Sequence, residues 1–239
     1  MFQTIVELFL LVIITAAITP FIRELAFVLG AVDNPNARRI NKKPMPTIGG
    51  LAIFVAFNIG EFVLLRKDFP THELFSVLLA SSVIILTGLI DDILELKPRQ
   101  KMFGIFVASL VVYFLAGIKV RELSLPFLGH IQLGWWSFPL TIFWILALTN
   151  AVNLIDGLDG LATGVTLISL VTMGIVGFFF LKSWQHYVPI MCIMLAACLL
   201  GFLPYNFHPA KIFLGDTGAL YIGFMISVLS LKGLKNVTF

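Results

Sequence analysis

The residues best suited to chemistry are five aspartates at the ends of long apolar runs. They are Asp91, Asp92, Asp156, Asp159 and Asp216. Carboxylates gathered at one site repel one another unless a cation neutralises them, and hard oxygen ligands favour Mg²⁺, which takes one or two protein carboxylates together with substrate phosphates. Basic residues in neighbouring segments would be partners for a diphosphate. The combination indicates magnesium-dependent phosphoryl transfer.

Local geometry separates the acids from one another. Asp91 and Asp92 are adjacent, so on a helix their side chains point about 100° apart and cannot chelate one ion equivalently. One is expected to meet the metal or an acceptor phosphate, and the other a neighbouring cation. Asp216 follows Gly215 at a predicted helix start, where it is either a metal ligand or an N-cap.

A second polar stretch, "NAVNLIDGLDG", repeats a polar residue at every third position. These residues are Asn150, Asn153, Asp156 and Asp159. Two glycines, Gly157 and Gly160, interrupt the helix that carries them. The last aspartate is therefore expected on a turn, where the backbone can approach a nucleotide closely.

The elements that position these residues are membrane helices. Of 239 residues, 59% are hydrophobic and 12% charged, and the mean hydropathy is +1.01, which excludes a soluble domain. The pattern lacks the alternation of a membrane β-barrel. We predict an all-α polytopic membrane helix bundle in which residues 1–239 form a single integral membrane domain. About eight transmembrane helices are expected, over Leu8–Ile22, Pro46–Gly60, Leu74–Ile90, Met102–Ile118, Ser137–Ile155, Leu161–Leu181, Tyr187–Tyr205 and Thr217–Leu231.

Basic residues set the predicted orientation. Eight of them follow the first and third spans, which places those loops in the cytoplasm: Arg23, Arg38, Arg39, Lys42, Lys43, Lys97, Arg99 and Lys101. All acidic clusters then lie on the cytoplasmic face. The segment from Lys119 to Trp136 becomes external, and its pattern around Gly129 predicts a small β-hairpin with aromatic anchors.

Each feature also has a structural interpretation. A single aspartate at a membrane edge is as often a cap or a solvated charge, and Lys97, Arg99 and Lys101 also serve as topology signals. His208 could be a ligand, but Pro209 beside it favours a turn residue. The occurrence of all the acidic clusters on one face favours a functional site.

Three motifs, in order and spacing, resemble the signatures of the polyprenyl-phosphate N-acetylhexosamine-1-phosphate transferases. They are "DDILELKPRQK", "NAVNLIDGLDGLATG" and "NFHPAKIFLGDTGAL", and the likeness covers nearly the whole chain. The segment "VDNPNARRINKKPMPTIGGLAIF" resembles the branch that uses UDP-N-acetylglucosamine to begin wall teichoic acid or O-antigen-type polymers, and we favour the teichoic acid type.

The resemblance implies transfer of N-acetylglucosamine 1-phosphate to undecaprenyl phosphate at the cytoplasmic face of the cell membrane, with release of UMP. It implies Mg²⁺, or Mn²⁺ in its place, as cofactor, a membrane-lipid substrate and no nucleic-acid partner. It also makes a homodimer plausible.

The resemblance further assigns roles to individual residues. By motif match, Asp91 is the base or the residue that orients the acceptor, with Asp92 beside it, and Asp216 is the metal ligand. Lys42 and Lys101 match basic positions near the phosphates. The positions that line the nucleotide pocket are matched by Asn153, Asp156, Asp159, Asn206 and Phe213, the last by stacking on uracil.

One departure concerns the C-terminus. Members of this family continue into further spans and a cytoplasmic loop with a histidine-rich motif, whereas this chain stops at "LKGLKNVTF". We therefore expect the domain to be incomplete there and the 239-residue chain alone to be poorly active. A truncated, inactive or scaffold membrane protein stays open as an alternative. An ion-coupled transporter is less favoured, because neither internal repeats nor mid-span acids are evident.

Overall fold

The computed structural model describes residues 2–35, 43–64, 71–125, 129–180 and 187–234. Within these ranges the chain forms eight α-helices: α1 (Phe2–Leu29), α2 (Gly50–Ile59), α3 (Thr71–Leu94), α4 (Pro98–Phe114), α5 (Ser137–Ile155), α6 (Leu161–Phe180), α7 (Tyr187–Asn206) and α8 (Gly215–Leu234). Each helix overlaps one of the eight predicted spans. The predicted all-α membrane bundle is confirmed.

Among the described residues, five helices are long and apolar enough to cross a membrane: α1, α3, α5 with the turn from Gly134, α6 and α7. The α2 helix continues as a π-helix over Gly60–Leu64 and gives a shorter apolar segment. The α8 helix has 20 residues, which at 1.5 Å per residue makes it about 30 Å long. The chain is a multi-pass membrane protein.

The α8 helix is the centre of the bundle. It packs against α2, α3, α5, α6 and α7, and its large side chains Tyr221 and Phe224 are fully buried. The α6 helix is peripheral and exposes Ile168 and Phe179. Apolar residues on the outside suit a surface that faces lipid, whose tails are as apolar as the side chains.

Glycines bring the backbones of three helices into contact at the start of α8. A Cβ added at Gly50 of α2 would lie 2.0 Å from the Cα of Gly218, and one at Gly88 of α3 would lie 2.5 Å from the Cα of Thr217. Because glycine has no side chain, these positions allow the helices to pack closely. Because α3 and α8 meet here, the last turn of α3 lies beside the first turn of α8.

Two short β-ribbons complete the fold. Strands β3 (Glu122–Leu125) and β4 (Gly129–Gln132) form the predicted hairpin. It lies between the end of α4 and the start of α5. The sequence did not predict the second ribbon, in which β1 (Val32–Asp33) pairs antiparallel with β2 (Met45–Pro46). This ribbon connects α1 to α2.

An ion pair between Glu73 of α3 and Lys232 of α8 joins the helix ends remote from Gly88. The ammonium also lies 4.5 Å from the ring centroid of Tyr187 in α7. We expect Lys232→Met to lower the free energy of unfolding by about 2 kcal/mol, because the mostly buried Glu73 would lose its charge partner. Thermal unfolding in detergent measures this. The double variant with Glu73→Gln should lose less than the sum of the single losses, and additive losses would contradict the coupling.

Candidate active site

The helix ends around the start of α8 enclose a cavity of about 510 Å³. Its walls come from the ends of α3 and α5, the turn between α5 and α6, the segment before α8, and strand β1. Its lining side chains include Val32, Asp33, Thr47, Asp91, Asp92, Glu95, Lys101, Asn153, Asp156, Leu158, Asp159, Asn206, Phe213, Leu214 and Asp216. Charged and polar groups dominate this surface, unlike the rest of the bundle.

The cavity brings together the residues that the sequence predicted as one site. All of them line it except Lys42, which lies outside the described residues. Of the basic residues at the start of α4, Lys101 enters the cavity, whereas Lys97 and Arg99 are exposed outside it.

Lys101 joins two of the predicted acids. Its Nζ lies 2.6 Å from Oδ2 of Asp91 and 2.8 Å from Oδ1 of Asp216. Asn153 Nδ2 donates a hydrogen bond to the same oxygen of Asp216. Charge-assisted contacts of this kind are strong when partly shielded from water. The four helices that carry these residues, α3, α4, α5 and α8, are thereby joined through Lys101 and Asp216.

The α3–α4 turn places Lys101 beside Asp91. The Asp91 carboxylate accepts a hydrogen bond from the Leu96 N–H at 2.7 Å. The backbone carbonyl of Asp91 accepts one from the Glu95 N–H at 2.9 Å. Glu95 adopts a left-handed backbone with φ of 50°, a conformation common just past a helix end. The chain reverses there, and Pro98 begins α4.

Asp92 caps α8 from a different helix. One carboxylate oxygen accepts the Asp216 N–H at 3.0 Å, and the other accepts the Thr217 N–H at 2.9 Å and the Thr217 hydroxyl at 2.6 Å. The first N–H groups of a helix lack internal partners, and a carboxylate also suits the positive end of the helix dipole. Asp216 is therefore not the cap of its own helix. Its side chain is left to face Lys101.

The turn after α5 carries Asp159, as predicted, and also Asp156. Asp156 caps the C-terminus of α5, and its N–H donates to the Asn153 carbonyl at 3.3 Å. Burial, and then the nearby charge of Asp216, raises the pKa of Asp156 to about 7. A bound cation would lower the pKa of Asp156 again, because it would neutralise the negative charge of Asp216.

Two predicted nucleotide-pocket residues take different positions in the wall. The amide of Asn206 accepts from the Thr163 hydroxyl at 2.7 Å and donates to the Ile212 carbonyl at 3.2 Å. Asn206 is buried, and its amide supports the wall from behind. Phe213 is half-buried and lines the cavity.

Several lining residues were not singled out from the sequence. Asp33 is on strand β1, Thr47 follows strand β2, and Glu95 follows α3. Glu95 could have been found from the sequence, because it lies in "DDILELKPRQK", three residues after Asp92. Asp33 precedes an Asn-Pro pair, which marks a turn but carries no sign of a site.

The donor chemistry of the cavity fits Mg²⁺. Seven carboxylates and one lysine line it in the part of the chain that the structure describes: Asp33, Asp91, Asp92, Glu95, Asp156, Asp159, Asp216 and Lys101. Among all the residues that the structure describes, no three acidic, histidine or cysteine side chains are grouped closely enough to hold a metal by themselves. Mg²⁺ needs only one or two protein carboxylates when phosphates and water complete its shell. The site suits an ion that arrives with a phosphorylated substrate.

The sequence is similar to those of known proteins. A family model described as glycosyl transferase family 4 matches residues 74–234. The chain is 40% identical over 240 residues to a probable undecaprenyl-phosphate N-acetylglucosaminyl 1-phosphate transferase of Bacillus subtilis. It is 37% identical over 209 residues to a phospho-N-acetylmuramoyl-pentapeptide-transferase of Clostridium botulinum, and 35% identical over 233 residues to a decaprenyl-phosphate N-acetylglucosaminephosphotransferase of Mycolicibacterium smegmatis.

The matches cover a larger share of this chain than of the relatives. They cover 100%, 83% and 91% of this chain, in the order given above. They cover 65%, 63% and 57% of the respective relatives. The match to the family model contains all the cavity residues from Asp91 to Asp216.

Proposed function

Because the chain belongs to glycosyl transferase family 4, we propose that it transfers N-acetylglucosamine 1-phosphate from UDP-N-acetylglucosamine to undecaprenyl phosphate and releases UMP. The observation that carries this proposal is the Lys101 ammonium held between Asp91 and Asp216 in an acidic cavity. A site of this kind suits a diphosphate and a divalent cation. One relative, whose match covers the whole chain, is named for the same sugar phosphate.

The reaction is a displacement at phosphorus. An oxygen of the lipid phosphate forms a bond to the β-phosphorus of the nucleotide sugar, and the bond from that phosphorus to the bridging oxygen breaks. UMP leaves with the bridging oxygen. A phosphate monoester is already largely ionised near neutral pH. Positioning and charge neutralisation therefore matter more than removal of a proton.

Individual residues of the cavity have separate roles in this reaction. Asp216 would hold Mg²⁺, which supplies neutralisation of the diphosphate charge when bound. Lys101 fixes the relative positions of Asp91 and Asp216 and adds a positive charge toward the phosphates. Asp91 orients the acceptor, Asp156 and Asp159 face the nucleotide, and the Phe213 ring stacks on the base.

The ends of α3 and α5 border the cavity, and we infer that they face the cytoplasm, because the positive-inside rule favours a cytoplasmic position for the basic loops. Both substrates would meet there, because a nucleotide sugar is water-soluble and a polyprenyl phosphate keeps its headgroup at the membrane surface. The lipid diphosphate sugar would begin a cell-wall polymer such as wall teichoic acid.

The test is an assay of UMP release in detergent, and it uses the full-length gene product, because the 239-residue chain alone is expected to be poorly active. We expect release with UDP-N-acetylglucosamine, undecaprenyl phosphate and Mg²⁺ together, and loss of it when EDTA removes the cation. UDP-N-acetylmuramoyl-pentapeptide is the comparison substrate, because other relatives are named for that sugar. Faster turnover of the pentapeptide nucleotide, or release of UMP without the lipid, would contradict the proposal.

Variants of the adjacent aspartates separate capping from chemistry. Asp92→Asn replaces one acceptor with an NH₂ group facing helix N–H groups, so we expect the free energy of unfolding to fall by about 1–2 kcal/mol along with turnover. Asp91→Asn keeps an acceptor for the Leu96 N–H and should lower turnover with little loss of stability. Thermal unfolding and UMP release, measured on both variants, test this. A fully stable but inactive Asp92→Asn would show that Asp92 acts on substrate.

A further inference from the structure

Asp159 is held from one side by the segment that follows α7. Its Oδ2 lies 3.0 Å from Nδ1 of His208 and 3.1 Å from the Ala210 backbone nitrogen, which donates to it. A carboxylate only accepts, so Nδ1 of His208 is the donor in that contact. Two donors on one oxygen fix the direction of the whole carboxylate. Among the described residues, no donor reaches the other oxygen, Oδ1.

The turn that carries Asp159 is anchored without His208. The Thr163 hydroxyl donates to Asn206 at 2.7 Å, and Asn206 donates to the Ile212 carbonyl at 3.2 Å. The Gly160 backbone packs on Phe207, where an added Cβ would lie 3.3 Å from the ring. Loss of the imidazole would leave these anchors in place. The Asp159 carboxylate alone would become free to change its orientation.

The position of His208 also argues against a role in overall stability. Its side chain is 81% exposed, whereas that of Asp159 is 24% exposed and lines the cavity. Pairs in which one partner is open to water contribute little to the stability of a fold. An exposed imidazole that directs a cavity carboxylate is placed to affect binding instead.

We propose that His208 is a positioning residue that orients Asp159 so that Oδ1 accepts a hydrogen bond from the nucleoside of the substrate. This inference rests on the proposed function, since it takes a uridine nucleotide as the ligand of the cavity. Side chains held in place before binding give tighter complexes, because less freedom is lost when the ligand arrives. His208 does not itself touch the reacting phosphates.

The experiment compares His208→Ala with His208→Asn in the full protein. Asparagine places an amide donor near the position of Nδ1, so it can restore the contact that alanine removes. His72→Ala is the matched control, because His72 is an exposed histidine at the opposite end of α3 from Asp91. For each variant, the KM for UDP-N-acetylglucosamine, kcat, the Kd for UDP and the unfolding temperature are measured.

We expect His208→Ala to raise both the KM and the Kd about threefold to tenfold. We expect kcat and the unfolding temperature to stay close to those of the wild type. His208→Asn should recover most of the affinity, and His72→Ala should match the wild type. Unchanged affinity in His208→Ala would overturn the inference, as would a parallel fall in kcat and unfolding temperature, which indicates a structural role.

Failure of the proposed function gives a different result. If the wild-type protein itself neither binds UDP nor releases UMP, the proposed function falls and the role of His208 falls with it. If the wild type is active and His208→Ala is indistinguishable from it, only the positioning role is refuted. Asp159→Asn adds a separate check, since it should weaken UDP binding at least as much as His208→Ala.

Discussion

Lys101→Met is expected to lower the rate of UMP release by roughly 10²- to 10³-fold, the usual cost of removing one group that stabilises charge in a reaction. The Lys101 ammonium lies within 2.8 Å of both Asp91 and Asp216. Without it, these carboxylates would face each other and the incoming diphosphate. Unit charges about 4 Å apart repel by about 4 kcal/mol at an effective dielectric constant of 20. Steady-state UMP release in detergent measures the effect.

Two further variants define what Lys101 does. Arg99→Met removes a neighbouring exposed charge from the first turn of the same helix, α4, and should keep nearly full activity. Lys101→Arg keeps the charge but replaces a compact ammonium with a planar guanidinium, so we expect partial activity at most. Full activity of Lys101→Met would refute the assignment. Equal losses of activity in Lys101→Met and Arg99→Met would show that only the overall positive charge at the start of α4 matters.

The helices could be predicted because each apolar interval ends at charged or turn-forming residues. The predicted run Ser137–Ile155 coincides with α5. The α1 helix, in contrast, continues to Leu29, well past the predicted end at Ile22. Arg23 and Glu24 lie inside it and pair with each other at 3.5 Å. Backbone hydrogen bonding continues where hydropathy stops, so charges mark the edge of the membrane better than the end of the helix.

The membership of the site could also be predicted, but the roles within it could not. Asp92 looks like a second catalytic acid in "DD", yet its carboxylate caps α8 by accepting the N–H of Asp216, 124 residues later. That contact exists only because α3 and α8 pack together at Gly88. The role of a carboxylate depends on the donors around it, and the sequence does not show which distant donors those are.

Residues on irregular segments were the hardest to place. Strand β1 has two residues, too few for any alternation, so no sequence pattern predicts that Asp33 reaches the cavity. His208 was interpreted as a turn residue because Pro209 follows it. The turn is real, but only the folded chain brings it to Asp159, 49 residues away.

Gly215→Ala is expected to have the largest effect on folding of any single methyl group added at the site. Gly215 has φ of +72°, and its Cβ would lie 1.5 Å from the Thr47 carbonyl oxygen and 2.8 Å from Oδ2 of Asp92. Thr47 cannot easily yield, because its N–H donates to the Ala31 carbonyl at 3.1 Å. We expect the free energy of unfolding to fall by about 3–5 kcal/mol, as measured by thermal unfolding in detergent.

The matched control is Gly117→Ala, which separates backbone strain from collision. Gly117 also has a left-handed backbone, with φ of +64°, but nothing lies within 4 Å of its Cβ position. Strain alone should cost about 1 kcal/mol there, and UDP binding should persist. In Gly215→Ala the start of α8 must move, so Asp216 leaves Lys101 and UDP binding should be lost as well. Equal losses of stability in the two variants would mean that the close contact with Thr47 does not hold α8 in place.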